Sequence, residues 1–306
     1  MTSPGAAGDW HEGAQAVADN IRTRVLGHVL RNNGGYMSQA LSSAEIFAML
    51  YTRIMHLGPS TAPMVPRPFS GVPGPDNPHF FNGGAYNGPK SPEYDRFIFS
   101  PAHYALVLYA ALIEVGRLAE EGLDQFDADG STVEMIGAEH SPGVETTTGS
   151  LAQALSQAGG IALARKRRGD TGKVWVMMSD GEFQEGQIWE AIAELARYEL
   201  DNVRVIVDVN GQQCDGCIDT DAYVEPLTNR IRAFGASAVE VDGHNLDLLD
   251  EAMSLETGKP HFVMALTNPA KGLPIFEQRA PLLHYLRFVS PEEKALYEEA
   301  YEGMVN

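Results

Sequence analysis

The apolar positions of this chain follow two different periods. In the first third they recur every three or four residues, and this spacing predicts helices over residues 14–30 and 42–55. The second helix has Ser42 and Ser43 at its start with Glu45 just behind them, a pattern typical of an N-terminal cap. The same helical period predicts further helices over residues 103–121, 149–168, 187–200, 246–255 and from 291 onward.

Strand-length apolar runs take over in the second half. Residues 173–179 (KVWVMMS) and 202–209 (NVRVIVDV) flank the helix predicted at 187–200, which indicates a βαβ unit with a parallel strand pair. Two more strands are predicted over residues 236–241 and 261–267. This alternation predicts a doubly wound α/β fold with a mainly parallel sheet and helices on both faces. Because no linker or internal repeat divides the chain, we expect residues 1–306 to form a single domain.

One segment shows neither period. Residues 58–92 are rich in proline and glycine, with aromatic residues between them, and are predicted to form a long loop. Loops of this length in compact domains are commonly functional, and the aromatic side chains favour a loop that packs on its neighbours.

Composition narrows the classes of function. The chain has 22 Lys and Arg against 41 Asp and Glu, a formal charge of −19, which disfavours binding to nucleic acids or anionic membranes. Its two cysteines, Cys214 and Cys217, are too few for a disulfide framework. The start of the chain lacks the basic and apolar blocks of a signal peptide, and no apolar run is long enough to span a bilayer. We therefore expect a cytoplasmic protein.

Polar residues with metal-binding chemistry follow both strands of the βαβ unit. Asp180-Gly181 comes directly after the first strand and Asn210-Gly211 after the second, 30 residues later. The carboxyl ends of parallel strands meet at one edge of a sheet, where ligands of such folds bind. A carboxylate, an amide oxygen and a glycine backbone before a helix suit Mg²⁺ and a diphosphate. The alternative is that each pair is an ordinary turn.

This spacing is similar to the thiamine diphosphate motif, in which Gly-Asp-Gly is followed some 30 residues later by Asn, although Ser179 stands here at the first glycine. Residues 180–216 closely resemble the cofactor-binding half of transketolases, especially the amino-terminal subunits of split transketolases. The GVETTTG segment at residues 143–149, and Asp95-Arg96-Phe97 with Ser100 and His103, resemble two other motifs of that family. The resemblance extends over nearly all of residues 14–300.

The resemblance implies thiamine diphosphate and Mg²⁺ as cofactors. The residues it implies for the metal are Asp180, Asn210 and the backbone carbonyl of Gln212. Those it implies for the cofactor are Gly181 against the diphosphate, Gly149 and Leu151 beside the rings, and His103 and His284 near phosphate or substrate oxygens.

Two glutamates and two histidines are implied as catalytic groups. Glu185 and Glu190 match acids of a carboxylate network between paired active sites, while the alternative is ordinary charge at the start of a helix. His103 and His284 match active-site histidines, although a single histidine is more often structural.

Several positions depart from the family pattern. Tyr36 replaces a histidine, residues 130–134 lack another, and His140 lies off register, so two of four sugar-facing histidines are missing. Cys214 and Cys217 form a C-x-x-C pair beside the metal loop, which we interpret as two incidental thiols in preference to half a zinc site or a redox pair.

The resemblance implies the diphosphate-binding subunit of a heteromeric enzyme that transfers a two-carbon ketol unit from a ketose to an aldose. The expected partner is a C-terminal transketolase subunit with the pyrimidine-binding domain, in a heterotetramer acting on sugars or sugar phosphates. The alternatives are another thiamine diphosphate-dependent two-carbon transfer, in a specialised biosynthetic or sugar pathway, and a non-catalytic regulatory subunit.

Overall fold

A five-stranded parallel sheet forms the centre of the fold. The computed structural model describes residues 10–214, 216–218 and 226–305. Over these residues the strands are β1 (Gly34–Gly35), β2 (Arg96–Phe99), β3 (Val174–Ser179), β4 (Val203–Val209), β5 (Gln212–Gln213), β6 (Gly216–Cys217), β7 (Ser237–Asp242), β8 (His261–Leu266) and β9 (Leu286–Arg287). The order in the central sheet is β2-β3-β4-β8-β7, while β1 pairs with β9 and β5 with β6 in short antiparallel ladders.

The four predicted strands lie within a residue or two of their expected bounds, and the structure adds the edge strand β2. Its Phe97, Ile98 and Phe99 are buried, but a four-residue run is too short to show a period. Its pairing with β3 is parallel, with Phe97 opposite Trp175. The tertiary structure thus decides that this segment is a strand.

The helices cover both faces of the sheet. They are α1 (Trp10–Asn32), α2 (Met37–Met49), α3 (Ala105–Glu114), α4 (Gln153–Arg168), α5 (Gly186–Arg197), α6 (Leu227–Ala233), α7 (Leu246–Ser254) and α8 (Pro291–Val305). Alternate residues of β3 separate the two cores: Trp175 and Met177 pack with α1, α2 and α3, whereas Val176 and Met178 pack with α4 and α5. This is the predicted doubly wound α/β architecture, which is confirmed.

The predicted start of the second helix is wrong. Helix α2 begins at Met37, so Ser42 and Ser43 lie in its interior and are fully buried. The Ser43 Oγ donates to the Gln39 carbonyl, and the Ser42 Oγ donates to Asp208 at 2.6 Å. The hydroxyl groups thus find partners within and beyond the helix and do not cap it. The chain continues from α2 into a π-helical turn at Leu50–Ile54.

The proline-rich loop, residues 58–92, contains a 3-10 turn at Gly83–Asn87 and is fixed by distant segments. The buried Tyr86 donates its hydroxyl to the Pro63 carbonyl at 2.9 Å, and the Asn87 amide donates to the Gly143 carbonyl. Gly83 lies so close to the backbone of Ser141 that a Cβ atom would be 1.7 Å from the Ser141 carbonyl oxygen. The expectation that this loop packs on its neighbours agrees with these contacts.

No helix in the described part of the chain is long and apolar enough to cross a membrane. Both cores pack on the same central sheet, which supports one domain, although the assignment of residues 1–306 as a single unit stays a prediction.

Candidate active site

The parallel pairing of β3 and β4 brings the two predicted metal-binding positions to one edge of the sheet. Ser179 lies opposite Asp208, so Asp180 and Asn210 follow the strands side by side. The Asp180 carboxylate accepts one backbone hydrogen bond from Gly181 at 2.9 Å and another from Gly211 at 2.7 Å. The second bond joins the two loops, so Asp180 holds together the ends of both strands.

Burial gives the Asp180 carboxyl an unusual proton affinity. It is almost fully buried, and this burial, with the nearby Asp208 carboxylate, raises the pKa of Asp180 to about 7. The backbone N–H groups of Gly211 and Gly181 act in the opposite direction without cancelling the effect of burial. A buried carboxylate without a cationic partner is costly, and a divalent cation would relieve that cost.

Asn210 is oriented by a carboxylate that the sequence reasoning did not include. Its Nδ2 donates to Asp208 Oδ2 at 3.0 Å, and its Oδ1 accepts from the backbone of Gln212. Asp208 also accepts hydrogen bonds from Ser42, Tyr104 and Thr267. Because the amide nitrogen is turned towards Asp208, the Asn210 oxygen faces the other way, and the lone pair that it does not use for Gln212 is available to a cation.

Burial raises the pKa of Asp208, against the hydrogen bonds it accepts. Asp208 lies between two valines, one position before the end of the apolar strand β4. This acidic residue in an apolar run is the only sequence signal that could have identified it. Such an acid in a buried strand needs partners, and three of them, Ser42, Tyr104 and Thr267, lie 59 to 166 positions away in the chain.

Gln212, the third predicted metal ligand, lies in the short ladder between β5 and β6, opposite Cys217. Its side-chain Oε1 is buried and has no hydrogen-bond partner within the described residues. A buried oxygen without a donor fits a site completed by a ligand or a cation.

A cavity of about 420 Å³ opens beside these loops. Five of the residues predicted to hold the cofactor line it, namely Gly149, Leu151, Gly181, His103 and His284. Gln212, predicted for the metal, and Glu185, predicted as a catalytic group, line it as well. Asp180 and Asn210 are buried directly behind Gly181 and Gln212. A Cβ atom at Gly181 would meet only Ile218, at 3.9 Å, so the space over this glycine is open to a ligand.

Tyr36 packs against both of the predicted active-site histidines. Its ring centroid is 5.4 Å from those of His103 and His284, which are 5.0 Å from each other. Burial, with a contribution from His284, lowers the pKa of His103 to about 3, and burial also lowers the pKa of His284. Both imidazoles are therefore neutral near pH 7.

The three acids of the Glu182–Glu190 segment have different surroundings. Glu182 is fully buried and accepts from Ser100, Ser179 and the backbone of Ala152, so it is a structural group that joins three segments. Glu185 lines the cavity. Glu190 does not, and lies instead in a separate groove of about 340 Å³ between α4 and α5. Its predicted role in a network between active sites stays a prediction.

Both cysteines are exposed, and Cys214 lines the cavity. Gln212 Nε2 donates to the Cys217 sulfur at 3.5 Å. Within the described residues no group of three or more His, Cys, Asp or Glu side chains could hold a metal ion, and the interpretation of these thiols as incidental stays a prediction.

Residues 80–281 match the thiamine diphosphate binding domain of transketolase. The chain is 36% identical to a putative, uncharacterized transketolase family protein of Sinorhizobium fredii, over 89% of this chain and 90% of that protein. The chain belongs to the transketolase family. It is also 31% identical to one subunit of the apulose-4-phosphate transketolase of Actinobacillus succinogenes, over 92% of this chain and 94% of that relative.

A transketolase mutant of Pichia stipitis has the same fold, with a TM-score of 0.67 and 23% identity over 96% of this chain. The chain spans 44% of the length of that transketolase. Three predictions are therefore confirmed: the family, thiamine diphosphate as cofactor, and a transketolase-like transferase.

Proposed function

We propose that this chain is the diphosphate-binding half of a heteromeric transketolase that moves a two-carbon ketol unit from a ketose to an aldose. The observation that carries the proposal is the similarity to a protein named as one subunit of a transketolase, over nearly the full length of both chains. The cavity beside Asp180 and Asn210 supplies the site.

The residues present fit a metal diphosphate. We assign Mg²⁺ to the Asp180 carboxylate, the Asn210 oxygen and the Gln212 backbone carbonyl, which are hard oxygen donors of the kind this ion prefers. The buried Asp180 carboxyl without a cationic partner, and the open space over Gly181, support this assignment. Asp208 acts as a positioning residue because it holds the Asn210 amide through Nδ2.

Bound thiamine diphosphate supplies a nucleophilic carbon and an electron sink for cleavage of a carbon–carbon bond. The chain's own histidines orient the substrate. Gln39 Nε2 donates to His284 Nδ1 at 3.2 Å, so the neutral His284 carries its proton on Nε2, where it is a hydrogen-bond donor for a substrate oxygen. His103, which burial keeps neutral near pH 7, is the second imidazole that lines the cavity.

The acid that activates the cofactor pyrimidine comes, in this proposal, from a partner chain. Glu185 is the one carboxylate that lines the cavity in the part of the chain described by the structure, and Glu182 is fully engaged in structural hydrogen bonds. We therefore assign the activating glutamate to a C-terminal subunit with a pyrimidine-binding domain, in a heterotetramer. Glu190, in the groove between α4 and α5, is our candidate for contact with that partner.

Tyr36 favours a donor other than those of ordinary transketolases. It packs against His103 and His284, where a phenol is bulkier than an imidazole, and burial raises the pKa of Tyr36 above the usual range of a phenol, so it stays protonated where an imidazole titrates. We propose a sugar or sugar-phosphate substrate of a specialised pathway, and the similarity to a relative named for apulose 4-phosphate supports it. The cytoplasmic location expected from the sequence stays a prediction.

The test is reconstitution. This chain and a candidate partner are assayed for ketol transfer separately and together, with thiamine diphosphate and Mg²⁺ present. We expect no turnover by either chain and turnover by the mixture. Full turnover by this chain alone contradicts the split-enzyme proposal, and cofactor binding without turnover on a broad ketose panel supports the regulatory alternative. In the active mixture, Tyr36→His should shift the ratio of kcat/KM between donors. An unchanged ratio contradicts the role of Tyr36.

A further inference from the structure

A second cavity, separate from the active site, lies in the proline-rich loop. It has a volume of about 510 Å³, within the range of small-molecule sites. Its lining residues are Thr61, Arg67, Pro68, Ser70, His79, Phe80, Phe81, Asn82, Ala85, Gly88, Pro89 and Lys90. It shares none of these residues with the active-site cavity.

The charge of this lining is opposite to that of the whole protein. Arg67, His79 and Lys90 all face the cavity, and none of the twelve lining residues is acidic, in a chain whose formal charge is −19. Among the described residues, these three side chains take part in no hydrogen bond or ion pair, whereas Arg22 and Arg96 pair closely with Glu45 and Glu145. The cavity therefore contains two cationic groups, Arg67 and Lys90, that form no ion pair with another described residue.

The electrostatic surroundings of Lys90 are consistent with a cationic group that has no ion-pair partner. Partial burial and the charge of Arg96 lower the pKa of Lys90, and the charges of Glu145 and Glu139 oppose that shift only in part. A concave site lined by one sign of charge concentrates ions of the opposite sign.

The other lining residues indicate which chemical groups a bound anion would have besides its charge. Phe80 and Phe81, with Pro68 and Pro89, form apolar walls. Hydroxyl and amide groups of Thr61, Ser70 and Asn82 add hydrogen-bonding partners. An aromatic or apolar body next to a charged group matches these walls better than a bare inorganic anion.

The cavity is held in shape by the rest of the fold. The Asn82 amide donates to the Glu145 carbonyl at 3.1 Å, and the backbone of Thr61 donates to the Ala85 carbonyl at 3.0 Å. The Arg67 carbonyl accepts from Thr132 at 3.2 Å. Opposite walls are thus fixed to each other and to the segment at residues 130–145, so the site is preformed.

We propose that this cavity binds a small phosphate ester with an aromatic or apolar body, using Arg67 and Lys90 for the phosphate and the Phe80–Phe81 wall for the body. An arginine gives paired N–H donors to phosphate oxygens, and a lysine adds a point charge. The site is distinct from the thiamine diphosphate site and requires neither the partner chain nor turnover.

The experiment titrates the full-length chain with AMP, adenosine and inorganic phosphate by calorimetry, with saturating thiamine diphosphate and Mg²⁺ and again without them. We expect AMP to bind at least tenfold more tightly than either fragment, with the same affinity whether or not the cofactor is present. Arg67→Ala/Lys90→Ala should weaken AMP binding at least tenfold. Arg167→Ala/Lys259→Ala, which removes the same charge from exposed residues elsewhere, should not.

Several results would overturn the proposal. Equal AMP affinity in the two double variants would show that the cations of this cavity are not the binding groups. Competition between AMP and thiamine diphosphate would place the nucleotide in the active site. Equal affinity for AMP and phosphate would show that the aromatic wall contributes nothing. Because all four cationic residues changed in these variants are at the surface, thermal unfolding of each should match that of the parent chain.

Discussion

The strand-end site, made of Asp180, Asp208 and Asn210, and the proline-rich loop at residues 58–92 are held in different ways. The strand-end site is fixed by neighbours in the sheet, since Asp180 joins the loops after β3 and β4. The loop is fixed by groups from remote segments, such as Gly143 and Arg117. The position of Asp180 therefore follows from the pairing of two adjacent strands, whereas the shape of the loop depends on remote parts of the fold.

The largest expected effect tests the strand-end site. Asp180→Ala should weaken Mg²⁺-dependent binding of thiamine diphosphate by about a thousandfold, or about 4 kcal/mol, because it removes a carboxylate ligand from the ion that holds the diphosphate. Asn210→Ala should have a similar effect. Calorimetric titration of the assembled complex measures both. Asp129→Ala removes an exposed acid and should bind normally; parent-like affinity in the Asp180 variant would contradict the metal site.

Asp208 tests whether that site also depends on distant segments. Asp208→Ala removes the shared acceptor of Ser42, Tyr104, Asn210 and Thr267, all at least partly buried. We expect the free energy of unfolding to fall by about 3 kcal/mol, from donors left without partners. Urea denaturation measures this. A change below about 1 kcal/mol would mean that these donors find other acceptors.

Substitutions at two glycines of the proline-rich loop test whether the loop is tightly packed where the structure shows close contacts. Gly83→Ala places a Cβ atom 1.7 Å from a backbone oxygen of Ser141 and should destabilise the protein by about 3 kcal/mol. Gly74→Ala meets nothing within 4 Å and should change stability by less than about 0.5 kcal/mol. Thermal unfolding compares the two. Equal effects would show that the loop moves away from residue 141 at little cost.

The smallest expected effect is a pH dependence of stability that arises from His28 in helix α1. Burial lowers the pKa of His28 to about 4, and its ring packs edge-on against Phe126. Below about pH 6.5 the unfolded chain binds a proton that the folded chain does not, so stability is lost as the pH falls towards 4. At pH 5 this loss is about 2 kcal/mol.

His28→Gln should therefore reduce the loss of stability between pH 7 and pH 5 by about 2 kcal/mol, measured by urea denaturation at both values. His79→Gln, which changes an exposed histidine, provides the comparison. An unchanged pH dependence in the His28 variant would show that this histidine is protonated in the folded state.

The sequence by itself determined the alternation of strands and helices, and the residues that lie at the carboxyl ends of β3 and β4, because apolar period and strand-end position are local properties that survive in any compact fold. It also indicated the family and the cofactor, through the resemblance of several motifs to those of transketolases. It placed Gly149, Leu151, His103 and His284 near the cofactor through family motifs, and the structure brings all four to one cavity.

Only the tertiary structure decided which polar groups serve the site and which serve the fold. Glu182, Ser42 and Asp208 resemble surface or capping residues in the sequence, yet each is fully buried and bonded to partners 30 to 166 positions away. It also decided that Glu190 faces a different groove from Glu185, only five positions earlier. The reason is that a buried hydrogen bond depends on which elements meet in space, and no local pattern records that meeting.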